Sequence, residues 1–442
     1  MVSGEILAQL IPADKETADL ALKRSEEAYE ALKQTSSYER AEALHLIADL
    51  LLGHKQEYAK WIALEMGKTI KDAKAEIDYT AGYFRWFAEE GKRIYGKTIP
   101  SQKKKRLHLH YEAIGPVLII IPWNFPLAMA GRKIAPAIAA GCPVICRPSS
   151  STPLSLLLLG QFIQKTNLPK AALQIFIGDT KLAEYMLLSP IIRKLSFTGS
   201  DEVGKHLYGL CSRTVKKATM ELGGHAPLIV FHDANIELAA QEAIYAKFRN
   251  NGQTCVCANR IYLQEDIAAS FLEAFIEKIR QLRIGDPLDE DTDISTVMHP
   301  TSVEKVARHL TDAKEKGAKP HLHAKNPYEP EVLTQVTKEM LLFQEETFGP
   351  VAGLAVFSSK EEALAMANDT KYGLASYLFT NDPSTADFFI RNLHFGIIGL
   401  NDGLPSAPEL PFGGMRDSGF GREGGPTGIY EYLMEKAVSQ KL

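Results

Sequence analysis

The sequence is short of the features that mark non-globular or specialised chains. Cysteine is scarce and odd in number, five in 442 residues, so a fully paired disulfide framework is excluded. No further Cys or His cluster lies near the Cys255–Cys257 pair, and no metal site is expected. Neither sign of charge dominates: a net charge of −4 argues against nucleic acid as the main partner. The N-terminal stretch "MVSGEILAQLIPADKETADLALK" has no basic segment followed by a sustained apolar one. It therefore carries no secretory signal, and a cytoplasmic location is expected. Long apolar runs are almost missing. The exception, Ala113 to Gly131, is charge-free but interrupted by Pro116, Pro122 and Pro126, which makes a buried strand and turn of it rather than a membrane span. Internal repeats, low-complexity tracts and the G-x-G-x-x-G fingerprint are absent as well.

What is present is a soluble globular composition, 45% hydrophobic and 24% charged. A chain this long exceeds the roughly 250–300 residues that one core sustains, so two large domains are expected. Residues 15–90 carry helical periodicity, strongest in "AEALHLIADLLLGHKQEYAKWIALEMG" and "AEIDYTAGYFRWFAEEGKRIYG", two helices expected to cover one face of a sheet. "SQKKKRLHLHYEA" is an exposed extended segment, its basic run a solvated strand rather than a binding patch. Strands then alternate with helices: "VLIII", "PVICR", "LQIFIG", "KLSFTGS" and "KKATMELGG". That alternation predicts a parallel sheet with helices on both faces and a ligand at the strands' C-terminal ends. A second series, "PLIVF", "NRIYLQ", "PVAGLAVF", "SYLFT" and "FGIIGLN", follows the punctuating turn "ELGGHAP".

Chemistry concentrates around "RNNGQTCVCANR". Cys255 follows Gly252 in a polar turn, where a thiolate and its own backbone N–H can face one carbonyl. Glu221 ends a strand beside the flexible "GG", a place for a partly buried general base, although a glutamate in a turn is equally a surface residue. Asn124 is held between prolines in "PWNFP", which suits an oxyanion donor or a structural turn. "FTGSDEVG" sets Gly199 and Ser200 after a strand and Gly204 in the following helix, a helix N-terminus suited to pyrophosphate.

"PWNFP", "FTGSDEVG", "ELGG", "GQTC", "EETFGP" and "PFGGMRDSGFGRE" occur in this order between Pro122 and Glu423. Together they resemble the NAD(P)-dependent aldehyde dehydrogenase superfamily over most of the chain. The resemblance implies an α/β fold: a Rossmann-like cofactor domain (residues 1–97 and 114–223), a catalytic α/β domain (224–415), and a small bridging hairpin (98–113 and 428–442) that builds homodimers or homotetramers. It implies Cys255 as nucleophile, Glu221 as general base, and an oxyanion hole from Asn124 and the Cys255 N–H. Glu346 and Phe348 would hold the nicotinamide ribose and flank the ring. Trp123 would contact the adenosine side, Ser200 the pyrophosphate, and Arg147, Ser149, Ser150, Gly199, Gly204 and Leu222 would complete the cofactor site.

Within the superfamily "CVCANR", "WFAEEGKRIYG" and "GREGG" look most like succinate-semialdehyde dehydrogenase. That subfamily grips the substrate's distal carboxylate with two arginines, matched here by Arg132 and Arg249, with Ser406 as a third contact. Two guanidiniums near a nucleophile favour an acidic aldehyde. The implied reaction is oxidation of succinic semialdehyde to succinate. The alternatives are a glutarate-type or unspecific aliphatic aldehyde and, from other classes, a cofactor-independent thiol hydrolase or a redox-sensing scaffold. Arg147 stands where the family usually has lysine, and Ser150 where NAD-preferring members commonly carry glutamate, so NADP is expected over NAD. His225 replaces a usual asparagine and is expected to be packed or solvent-facing, and the N-terminus begins later than is common. Cys257 resembles the cysteine with which some subfamily members form a reversible disulfide to the nucleophile; the alternative reading is a buried thiol without that role.

Overall fold

The computed structural model describes residues 6–442. Residues 1–5, which open both the N-terminal stretch discussed above and the expected cofactor domain, lie outside the described residues. Four helices come first: Lys15–Leu32, Ser37–Gly53, Lys55–Met66 and Ile70–Glu90. The second begins with a reciprocal cap, Ser36 bonding the Glu39 N–H while Glu39 reaches back to the Ser36 N–H. The single helix expected over 41–67 is two, because Gly53 ends the first and His54 leaves the helical region at φ −105°, ψ 17°. No helix among the described residues is long and apolar enough to cross a membrane.

Three sheets organise the chain. The first has six strands in the order Gly419–Phe420, Lys217–Glu221, Lys194–Thr198, Val117–Ile120, Val144–Arg147 and Leu173–Ile175. All pair in parallel except Gly419–Phe420. The chain enters at Val117–Ile120, builds outward on one side, then returns to build on the other. That reversal leaves a crevice beyond the C-terminal ends of Val117–Ile120 and Lys194–Thr198, where an α/β sheet binds its ligand.

The second sheet has seven strands in the order Lys319–Pro320, Glu331–Thr334, Val351–Phe357, Ala258–Gln264, Ala226–Val230, Ala375–Phe379 and Ile397–Leu400. Its last five strands in this order match the expected strands. Lys319–Pro320 and Glu331–Thr334 escaped sequence reading because neither has an apolar run. The third sheet joins Lys97–Ile99, Lys105–Ala113 and the C-terminal Leu433–Lys441, all antiparallel. The basic segment is thus a solvated strand.

Leu222 to His225 lead from Lys217–Glu221 of the first sheet directly into Ala226–Val230 of the second, and residues 401–418 bring the chain back to the first at Gly419–Phe420. The Leu222 to His225 joint is crowded, since a Cβ on Gly224 would stand 2.0 Å from the Cys255 carbonyl oxygen. Gly224→Ala is expected to lower the unfolding free energy by about 2 kcal/mol, a typical overpacking cost. A urea midpoint shifted by less than about 0.5 kcal/mol equivalent would show that the Cys255 backbone yields instead.

Candidate active site

The helix Ile236–Phe248 aims the nucleophile loop. Asn250, Asn251 and Gly252 follow in three successive left-handed conformations, φ 53°, 54° and 71°, which asparagine and glycine adopt at least cost. Side-chain bonds hold the loop in place. The Asn250 N–H donates to Asp72 at 2.9 Å, and its side-chain amide donates to the Asn124 and Gln253 carbonyls at 3.1 and 3.2 Å. Asn251 exchanges two bonds with Ser295. Cys255 emerges at the meeting of two cavities.

The cavity on the first-sheet side measures about 310 Å³ and is walled by Trp123, Asn124, Gly199, Ser200, Leu222, Glu346 and Phe348 along with Cys255. The cavity on the other side measures about 360 Å³ and is walled by Arg132, Arg249, Ser406, Phe125, Phe412 and Tyr79, again with Cys255. One thiol therefore faces both chambers, as a group must that takes a substrate from one side and a cofactor from the other.

Asn124 is buried, and its Nδ2 donates to the Gln253 carbonyl at 2.9 Å. The amide has a second hydrogen to offer. Burial pushes the Cys255 thiol up to about 12, with Arg132 drawing it down and Glu221 pushing it further up. Glu221 is 1% exposed, not partly buried as its turn suggested, and neither carboxylate oxygen has a hydrogen-bond partner. Desolvation and then Glu423 raise its pKa well above the carboxylate range, against Arg132, Lys133 and Arg422. Its carboxylate sits close to Gly413 and lines neither chamber.

On the first-sheet side a Cβ would meet Phe197 at 2.4 Å from Gly199, and Leu222 at 2.4 Å from Gly204, so both glycines permit close approach of the backbone. Ser200 caps the helix Asp201–Ser212. The helix's own first acid, Asp201, is paired with Lys371 at 2.6 Å, which leaves the dipole free to attract an anion. Thr198 Oγ1 is buried in the same wall without a partner. The Glu346 carboxylate accepts from the Gly224 N–H at 3.0 Å and is pushed up to about 7 by burial. These residues fit a dinucleotide, with pyrophosphate at Gly199–Ser200 and ribose hydroxyls at Glu346. Arg147 donates from Nε to the Gly178 carbonyl at 2.9 Å. With Ser149 and exposed Ser150 it stands outside the chamber, on the loop leaving the neighbouring strand.

Trp123 shares the chamber with Cys255, stacks on His299 at 4.2 Å and meets Phe348 edge-on at 5.6 Å. The interrupted "PWNFP" turn keeps it beside Asn124. Cys257 does not share the chambers with Cys255, because its Sγ lies 3.3 Å from the buried Lys247 Nζ, which also bonds Asn259 at 2.8 Å. All five cysteines are free thiols. His225 is fully buried, bonded to the Phe343 carbonyl at 3.1 Å and to Asn259 at 3.3 Å. Burial and Arg260 hold its pKa well below the usual range, so it is a neutral structural group.

Sequence reasoning missed Glu423 and Lys133. Glu423 pairs with both Arg132 and Lys133, all three buried. Their signal was available: Arg132 and Lys133 are the only charges in the helix Ala128–Ala140, every residue of which is buried, and such cations require a counter-ion. Tyr79, Phe125, Met129 and Phe412 were missed because walls of a cavity carry no local pattern.

The aldehyde dehydrogenase family model matches residues 2–438. The mitochondrial succinate-semialdehyde dehydrogenase of Oryza sativa subsp. japonica is 42% identical over 445 residues, 99% of this chain and 84% of that one. A glutarate-semialdehyde dehydrogenase of Pseudomonas aeruginosa is 39% identical over 439 residues, 98% and 91% of the two chains. Among solved structures, an Escherichia coli NADP-dependent enzyme superposes with a TM-score of 0.97 at 40% identity, covering 100% of this chain and 92–93% at most of its neighbours' length, 93% in this case. The chain belongs to the aldehyde dehydrogenase family, and it is an NAD(P)-dependent oxidoreductase.

The buried thiol gives a direct test. Because Cys255 is protonated at neutral pH in the free protein, its thiolate fraction rises about tenfold per pH unit. Iodoacetamide alkylation of Cys255, followed by mass spectrometry on the cofactor-free protein, is expected to climb steadily between about pH 7 and 10. A plateau below about pH 8 would mean that Arg132 outweighs burial.

Proposed function

We propose that the protein oxidises succinic semialdehyde to succinate, with NADP preferred over NAD. The observation that carries this reading is the chamber at Cys255 walled by two guanidiniums, Arg132 and Arg249, and the Ser406 hydroxyl. A four-carbon aldehyde with a distal carboxylate presents its carbonyl to Cys255 and its charge to the arginines. The Cys255 thiolate adds to the aldehyde carbon, and the resulting oxyanion accepts from the Asn124 amide and the Cys255 N–H. Bound NAD(P) supplies the acceptor for the hydride that leaves this carbon, and a thioester on Cys255 remains. Once ionised, Glu221 takes a proton from the water that attacks the thioester and passes it to the departing Cys255 sulfur, so succinate leaves as the thiol is regained. With neither oxygen hydrogen-bonded, Glu221 has no bond to break when it turns toward that water.

A longer ω-carboxylated aldehyde is the second reading, favoured by the glutarate-semialdehyde dehydrogenase relative. A cofactor-independent hydrolase would have no use for the dinucleotide chamber. We assign the cofactor domain to the first sheet with its helices, catalysis to the second, and pairing of chains to the third, whose Met434, Val438 and Leu442 are exposed. Arg147 and Ser150 support NADP, since a guanidinium anchored through Nε and an uncharged neighbour favour a 2′-phosphate.

The specificity constant for succinic semialdehyde is expected to exceed that for butanal by on the order of 10², because the neutral analogue leaves the buried Arg132 Nη2 and the Arg249 Nε without a carboxylate to bond. Equal constants would sink the substrate assignment while leaving the dehydrogenase intact. For the cofactor, Ser150→Glu is expected to lower kcat/KM with NADP by about tenfold while sparing NAD. A variant indifferent to this change would place the 2′-phosphate elsewhere.

A further inference from the structure

Arg132 is the most buried of the two clamp arginines, and it is not held the way a free receptor would be. Its Nε stands in ion-pair contact with Glu423, its guanidinium carbon lies over the Phe412 ring at 4.0 Å, and both Nε and Nη2 are buried without a hydrogen-bond partner. Glu423 and Phe412 are themselves locked to each other by two backbone bonds, 2.7 Å from the Glu423 N–H to the Phe412 carbonyl and 2.6 Å in the reverse direction. One two-residue bridge thus supplies both the edge anchor and the face anchor of a single guanidinium. The second Glu423 oxygen is taken by Lys133.

We propose that Glu423 is a positioning residue that turns Arg132 into a carboxylate receptor and so sets the preference for acidic aldehydes. The inference rests on the substrate reading above. An arginine carries several rotatable bonds, and recognition of a carboxylate by its planar fork requires that the fork be fixed beforehand. Glu423 holds the inner edge against the Phe412 face, and the unpartnered Nη2 remains for the substrate. Charge follows the same arrangement: Arg132 and Lys133 bring two cations and Glu423 one carboxylate. The two other carboxylates of this chamber are committed elsewhere, Glu76 to Lys68 at 2.6 Å and to the Leu127 and Ala128 N–H groups, and Asp72 to the Asn250 N–H. Tyr79 and Tyr83 bond each other through their hydroxyls at 2.8 Å, and Glu221 makes no hydrogen bond. The distal carboxylate of the substrate completes the set.

The test compares kcat/KM for succinic semialdehyde and for butanal, with saturating NADP, in the wild type, Glu423→Gln and Glu423→Asp. In Glu423→Gln the ratio of the two constants is expected to fall by about tenfold or more, since the fork loses its fixed orientation. Butanal, which does not use the guanidinium, should lose much less. Glu423→Asp keeps the charge at a shorter reach and should restore part of the ratio. A purely structural role for Glu423 would depress both substrates alike and leave the ratio unchanged, which overturns the proposal. A raised ratio overturns it too, because Glu423 would then only offset positive charge. If Glu423→Gln does not fold, Glu423→Asp decides alone: a wild-type ratio in that variant counts against positioning. A wild type that fails to discriminate would sink the substrate reading itself, an outcome distinct from discrimination that survives loss of Glu423.

Discussion

The charge buried behind Cys255 is the constraint on which the site depends. Arg132, Lys133 and Glu423 lie at 3% exposure or less, in surroundings where an unpaired ion costs several kcal/mol. The two cations share one carboxylate, and removing it would leave both uncompensated, a loss of about 3–5 kcal/mol. Satisfying that pair ties the helix Ala128–Ala140, which follows the first strand of the first sheet, to the chain 290 positions later. The same tie brings Phe412 over Arg132 and draws Gly413 against Glu221. Packing of the C-terminal loops and construction of the substrate chamber are consequently one event.

The low dielectric that makes this pairing obligatory also governs the reacting groups. Cys255, Glu221 and Glu346 are all shifted toward their neutral forms, each with desolvation as the leading cause. A neutral thiol and carboxyl are inert at rest. Positive charge arriving in the chamber on the first-sheet side favours the thiolate, so reactivity is tied to that chamber being filled. His225, although only four residues beyond Glu221, takes no part, because its ring is committed to a backbone carbonyl and to Asn259.

Much of the fold was legible because its signals are local. All five expected strands of the first sheet appear, and strand ends place Asn124, Gly199 and Glu221 around one crevice. Turn chemistry announced the nucleophile loop: Asn-Asn-Gly is a sequence that accepts successive positive φ angles, and the chain uses all three. The split at His54 and the two short strands Lys319–Pro320 and Glu331–Thr334 were missed, since none of them leaves a periodic trace. Side-chain direction leaves no such local trace. Adjacency in sequence fixes which loop a residue occupies, but not which way its side chain turns; Cys257, two residues from the nucleophile, turns to Lys247.

By itself the sequence determined the order of strands and helices and the motifs at their ends. These follow from hydrophobic periodicity, backbone preference and the chemistry of side chains within a few positions of each other, while the roles of Cys255, Glu221 and Asn124 rest on the resemblance those motifs carry. Tertiary structure alone decided that Glu423 serves Arg132, that Glu221 waits away from either chamber, and that one thiol opens to two cavities. Each of these joins residues far apart along the chain, where burial, by excluding water, makes charges and donors choose partners from whatever the fold brings within reach.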